Sequence, residues 1–302
     1  MKYAHILMAM ASEIWAMEPD KLLAVVEFLA QQAAGVKFSA QEIEAKISPG
    51  AAAAVARREG SVAIVPIRGV IANRVSLLGD ISGGTSSEAL QKSLASLRDD
   101  AGVKTVILDV DTPGGTVAGT EELAAVVESF RGVKPIVAQV NADCASAGYW
   151  VVSPADEIVV TPTGRVGSIG VMTCHDDISR ALEEAGITRT VITSSPYKGE
   201  AFGPLSDEAR AYMQEQVDAY DALFVNRVAS GRGVSAAEVR ANFGKGRMVM
   251  ASLAVKAGMA DRVGTMAETL ARFGVNPVQP SAGPPERRFP AAREKRRLML
   301  AN

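Results

Sequence analysis

An α/β fold with a mostly parallel sheet flanked by helices is what this sequence predicts, and three observations predict it. Val62–Ile67, Thr105–Val110 and Pro135–Val140 are short apolar runs, rich in β-branched residues and without alternation. Strands buried on both faces read this way. Helical patterns lie between them: Leu90, Leu94 and Leu97 share one face, and Glu121–Phe130 is a second amphipathic stretch. Strand and helix alternating at such spacing make βαβ units, and βαβ units make parallel sheets.

Taken in order, residues 1–47 read as an N-terminal helical segment, because Ile14, Trp15, Leu22, Leu23, Val26 and Leu29 recur near helical spacing. Residues 48–60 read as a linker: Ser48-Pro49-Gly50, an alanine run and a charged stretch ending at Gly60. The α/β domain occupies 61–275, with two shorter strands expected at Glu157–Val160 and Thr188–Thr193. A long helix starts behind Ser206, a good N-cap followed by Asp207 and Glu208. Ala209, Met213, Gln216, Tyr220 and Phe224 mark its stripe, and Gly231 and Gly233 its end. Residues 276–302 form a basic tail whose five prolines exclude continuous helix; it suits a solvated terminus or a docking peptide.

Composition narrows the function classes. The 302 residues are 48% hydrophobic and 22% charged with a net charge of −2, ordinary for a globular chain and no signature of nucleic-acid binding. Cys144 and Cys174 are the only cysteines, too few for a disulfide framework, which suits a reducing cytoplasm. The N-terminal apolar run Ile6–Ala11 is far shorter than the about 20 residues of a membrane anchor, so none is expected. No zinc, calcium, phosphate-loop or dinucleotide motif is present, and no cofactor is expected.

The chemistry concentrates in two stretches, Asp143-Cys144-Ala145-Ser146-Ala147-Gly148-Tyr149 and Ser195-Pro196-Tyr197-Lys198-Gly199-Glu200. A serine hydroxyl is a poor nucleophile until a neighbour takes its proton. With only His5 and His175 in the chain, lysine is the alternative base. Ser146 follows a strand and opens a short helix, Ala147–Val152, as a nucleophile with nearby amide donors requires. Thr112-Pro113-Gly114-Gly115 ends the strand before it, at the carboxyl edge where open α/β sheets place their sites. The Gly115 amide with that of Ala147, or of Ser146 itself, would form a two-donor oxyanion hole. Lys198 would serve as base, with burial against Tyr197 and Phe202 and the helix end at Ser206 lowering its pKa. Ser168, in Gly167-Ser168-Ile169-Gly170, would hold the lysine amine. Cys144 reads as a small buried thiol and His175 as a capping or surface residue.

Taken together and in this order, these motifs resemble the family of signal peptide peptidase A and the phage head-maturation, or prohead, serine proteases. The matching residues are Asp111–Gly115, Ala145–Trp150, Thr163–Val171, Tyr197–Gly199, Gly231–Val234 and Ala257–Val263, across roughly 60–265. The resemblance implies a Clp/crotonase-like fold, a homo-oligomeric ring and a Ser–Lys dyad that can be completed between neighbouring protomers. By position it implies Ser146 as nucleophile, Lys198 as base, Ser168 as orienting hydroxyl and Gly115 as oxyanion donor. Trp15-Ala16-Met17-Glu18-Pro19 and the basic tail look more like the phage branch. The expectation is a serine endopeptidase that trims capsid or scaffold proteins, in the host cytoplasm or within the prohead. A general peptide-degrading peptidase, an acyl-CoA enzyme reusing the oxyanion hole and a non-catalytic assembly protein are its rivals.

Overall fold

The computed structural model describes residues 14–23, 27, 31, 56–73, 84–195, 197–200 and 203–275. Along the chain run β1 (Trp15–Met17), β2 (Arg57–Glu59), β3 (Val62–Arg68), β4 (Ile71–Ala72), β5 (Thr85–Ser86) and α1 (Ser87–Asp99). Then come β6 (Thr105–Thr112), β7 (Gly114–Thr116), α2 (Thr120–Glu128), β8 (Ile136–Ala145), α3 (Ala147–Val152), β9 (Glu157–Val160) and β10 (Arg165–Gly167). The last third holds α4 (Ser179–Glu184), α5 (Asp207–Arg232), α6 (Ala236–Asn242), β11 (Met248–Met250), α7 (Ala251–Lys256), β12 (Arg262–Val263) and α8 (Met266–Arg272).

The larger sheet is parallel at its centre, as the apolar runs predict. β3 pairs β6, β6 pairs β8, and β8 pairs β9 along its first half and β10 along its last residues. Only the rim strands β2 and β11 join antiparallel. The inner strands are buried nearly throughout, and Leu94 from α1, Leu123 and Val127 from α2, and Phe130 just past α2 belong to the core. A second, small sheet, in the order β1-β7-β4-β5, stands where β6 ends.

Helix ends follow local chemistry. The Ser86 hydroxyl accepts from Ala89 N–H (3.2 Å), and the Ser206 hydroxyl accepts from Ala209 N–H (3.1 Å). α5 runs through Gly231 and stops at Gly233, whose φ of 68° is open to glycine at little cost. Gly231 is there for packing: a Cβ on it would lie 2.5 Å from the Ser153 carbonyl oxygen.

Several expectations need correction. Trp15–Met17 is a strand, since its backbone finds partners on both sides; residues 19–23, 27 and 31 after it are helical, and the rest of residues 1–47, Ile14 and Glu18 apart, lies outside the described residues. The linker's end, Arg57–Glu59, pairs with β3. Thr188–Thr193 forms no strand; every one of its residues is exposed, and β-branching without a ladder partner does not make a strand. Of the α5 stripe only Ala209 and Phe224 are buried; Met213 and Gln216 are half-buried and Tyr220 is exposed. The basic tail lies outside the described residues.

Candidate active site

β8 is longer than its apolar run and carries the chain through Cys144 and Ala145 to Ser146. There the backbone breaks sharply: Ser146 holds φ 50° and ψ −114°, a region that side chains larger than glycine enter at a cost of about 1–3 kcal/mol. The turn is held by the Ser146 N–H donating to Gly167 O (2.7 Å) and by Trp150 N–H donating to Ser146 O (2.9 Å). The serine is fully buried, and its hydroxyl approaches Gly170 O at 3.4 Å. Ser146 caps α3 without a side-chain bond, so its hydroxyl is not spent on the helix.

α3 is fully buried and tied to its surroundings. Tyr149 donates its hydroxyl to Met259 O (2.8 Å), and Trp150 donates its ring N–H to Glu121 Oε2 (2.8 Å). The Trp150 ring stacks on Phe224, centroids 4.5 Å apart and planes 8° from parallel. Arg227 on the same helix as Phe224 pairs with both Glu121 and Glu128. A short helix would fray alone; here α2, α5 and the Met259 carbonyl hold it. Its first amides have no partner within the helix, which leaves the Ala147 N–H as a donor beside Ser146.

The Thr112–Gly115 turn is pinned by Thr112, whose hydroxyl donates to Gly69 O (2.6 Å) and accepts from Gly114 N–H (3.1 Å). Both glycines are demanded by close approach. Gly114 has φ 100°, and a Cβ there would meet Ala16 O at 2.3 Å and Ala145 O at 3.1 Å. A Cβ on Gly115 would lie 1.8 Å from Ile71 O. β7 pairs antiparallel with β1, with Ala16 opposite Gly115. Flanking bonds run from Glu18 N–H to Pro113 O (2.9 Å) and from Val117 N–H to Ile14 O (3.1 Å). Antiparallel ladders alternate, so Ala16 and Gly115 are the hydrogen-bonded pair between them, and the Gly115 N–H faces the Ala16 carbonyl.

Ser168 lies on the loop that touches Ser146 from the other side, between Gly167 and Gly170. It has φ 54°, is 6% exposed, and its N–H donates to Arg247 O (3.1 Å). Ser146, Ala147, Gly115 and Ser168 therefore converge at the carboxyl ends of β8, β6 and β10. Lys198 does not join them. It and Tyr197 are exposed, and Phe202 lies outside the described residues. The expected burial of the lysine is thus not found in one copy of the chain.

Cys144 is fully buried behind Ser146, and burial pushes its thiol pKa up, so it stays a protonated, unreactive thiol. His175 caps no helix; its Nε2 lies 3.0 Å from Gly203 O, tying the stretch before α5 to the stretch before α4. Three neighbours of the site escaped the sequence reading: Trp15, Ala16 and Met172. The strand-like triplet ahead of Pro19 was their signal, obscured by the helical spacing around it.

Residues 128–275 match the model of peptidase family S49. The matched region includes Ser146, Ser168 and Lys198. This chain belongs to the S49 family. It is 33% identical to capsid assembly protease C of Escherichia phage lambda over 204 residues, which cover 67% of this chain and 46% of the relative. To protease 4 of Haemophilus influenzae (strain ATCC 51907 / DSM 11121 / KW20 / Rd) it is 29% identical over 212 residues, 69% of this chain and 34% of that one. The chain thus spans less than half the length of either relative. Among solved structures it is similar to a point mutant of ClpP1 from Listeria monocytogenes, with a TM-score of 0.45 and 13% identity over 68% of this chain and 94% of that one. Among the described residues no helix of this S49 chain is long and apolar enough to cross a membrane.

Proposed function

We propose that the chain is a serine endopeptidase working through a Ser146–Lys198 dyad. Ser146 attacks a peptide carbonyl carbon while Lys198 takes its proton. The Gly115 and Ala147 amides hold the oxyanion, and the lysine then returns the proton to the leaving nitrogen. Water releases the acyl group by the same route, and Ser168 orients the lysine. The observation that carries this reading is the Ser146 turn: a buried serine at φ 50°, at the end of β8, where Thr112 of the glycine turn pairs with Cys144.

The exposed position of Lys198 favours completion of the dyad by a neighbouring copy. Ile187, Val191, Ile192 and Tyr197 surround it in sequence and are all exposed, Ile192 at 92%. Such an apolar stretch on a projecting arm suits burial in a homo-oligomeric ring. The substrate we propose is a capsid or scaffold protein, trimmed in the host cytoplasm or the prohead, as the name of the lambda relative suggests. The similarity to protease 4 supports a second reading, general peptide degradation.

The test is intact mass with peptide mapping after exposure to a fluorophosphonate. The expected result is one adduct on Ser146, absent in Ser146→Ala and slowed by about 10²-fold or more in Lys198→Ala. An assembled, folded wild type that takes no adduct would sink the peptidase reading.

A further inference from the structure

The segment Ile14–Met17 lies where a substrate would have to lie. A peptide to be cut must present its carbonyl to the nucleophile and to the oxyanion amides together, and an extended strand added to a sheet edge does this. Two edges flank Ser146. One is β7, whose Gly115 N–H is the oxyanion donor of the peptidase reading. The other is the stretch Gly170–Met172, whose Gly170 O meets the Ser146 hydroxyl at 3.4 Å. β1 fills the gap between them. On one side Ile14, Ala16 and Glu18 follow the ladder with Val117, Gly115 and Pro113. On the other, Trp15 N–H donates to Met172 O (2.8 Å) and Met172 N–H donates to Trp15 O (2.9 Å). Alternate residues thus bond alternate walls, as in a central strand.

The register matters as much as the location. The carbonyl facing the Gly115 amide belongs to Ala16, and a Cβ on Gly114 would meet both Ala16 O (2.3 Å) and Ala145 O (3.1 Å). That brings the Ala16–Met17 peptide bond to the residue preceding Ser146. Ala16 is fully buried and Trp15 and Met17 are 3% exposed, so the groove has no room for a second strand while β1 is seated.

We propose that the groove beside Ser146 binds extended peptides with a small residue at the carbonyl to be attacked, and that the chain's own Ile14–Met17 is its resident, exchangeable occupant. A substrate must displace β1 before Ser146 can act on it. The proposal rests on the peptidase reading for its consequence, and on the ladder alone for the occupancy. Where β1 itself is attacked, the Ser146 oxygen bonds to the Ala16 carbonyl carbon and the bond to the Met17 nitrogen breaks. That nitrogen leaves with the serine's proton, and water releases the Ala16 acyl group.

The experiment locks and unlocks the strand in the full chain. Trp15 and Met172 exchange both backbone bonds, which puts their Cα atoms about 5.5 Å apart, within reach of a disulfide. Trp15→Cys/Met172→Cys, made in a Cys174→Ser background, should crosslink on oxidation. Fluorophosphonate labelling of Ser146 should then be slower by about tenfold or more than in the same protein reduced, since only chains with an empty groove react. Ala16→Glu, which cannot seat a charge in the buried position, should label faster than wild type. Intact mass showing a chain that begins at Met17 in wild type but not in Ser146→Ala would also support the placement.

Failure of the crosslink to form would overturn the occupancy. Equal labelling of oxidised and reduced protein would overturn the exchange and make β1 a permanent part of the sheet. If no form takes label, the peptidase reading fails, while the crosslink still decides whether β1 sits in the groove.

Discussion

Ser146, Gly115 and Cys144 lie within a few residues' reach of one another, yet each is set by a different force. Ser146 is held at φ 50° by bonds to Gly167 and Trp150, so the strain is borne by the surrounding fold. Gly115 is set by contact: Gly115→Ala would press a methyl against Ile71 O, now 1.8 Å from the Cβ position. We expect a loss of about 1–3 kcal/mol in a denaturant titration, with Ser146 labelling falling more steeply than stability. Cys144 is set by burial. Because burial raises the pKa of Cys144, and of Tyr149, in the folded chain, the folded state holds their protons longer. Their contribution to stability is complete below the unfolded pKa values, about 8.5 for cysteine and about 10 for tyrosine, and is lost as pH rises past them. Denaturation midpoints should therefore fall above about pH 9, by up to about 1.4 kcal/mol per pH unit for each group, and Cys144→Ala should flatten the first part of that fall. Iodoacetamide at pH 8 should modify exposed Cys174 in the folded chain and leave Cys144 untouched.

At the scale of elements, the site depends on α3, a helix of six residues that local propensity would not sustain. Its order comes from the Trp150–Phe224 stack, the Glu121–Arg227–Glu128 ion group and the Tyr149 bond to Met259. Trp150→Ala should cost about 3–5 kcal/mol, read from the denaturation midpoint. Trp150→Phe keeps much of the ring and loses the bond to Glu121, so it should recover most of that stability. The two variants separate packing from the hydrogen bond. Gly148 is a further constraint, because a Cβ there would lie 2.3 Å from Thr112 Cγ2. Small residues around Ser146 thus serve close packing of α3 on the Thr112 turn.

Across the whole molecule, the arm from Ile178 to the first half of α5 is the part least explained by the single chain. Ile178, Ile187, Val191, Ile192, Tyr197 and Tyr212 are all exposed on it. If copies assemble through this arm, Ile192→Asp should lower the mass measured by light scattering and reduce Ser146 labelling in parallel. A dyad shared between protomers makes a sharper prediction. Ser146→Ala and Lys198→Ala, each inactive alone, should regain peptide cleavage when mixed and allowed to exchange subunits. No recovery, with exchange shown by mass, would place both residues of each dyad in one chain.

What was legible in the sequence were the features that local chemistry dictates. Buried strands have to be apolar and β-branched, α5 has to begin behind a capping serine, and close backbone approach has to be met by Gly114, Gly115 and Gly148. The strand-to-helix junction at Ser146 could be read from these alone. What the sequence did not reveal were partners distant along the chain. Trp15–Met17 carries a helical spacing, yet it is a strand because Gly115 and Met172, about a hundred residues or more away, satisfy its backbone groups. Thr188–Thr193 has the composition of a strand and forms none, since no edge is offered to it. The exposed position of Lys198 likewise follows from where its arm projects. Patterns along the chain report which groups must be buried or bonded, and only the tertiary structure decides which partners do it.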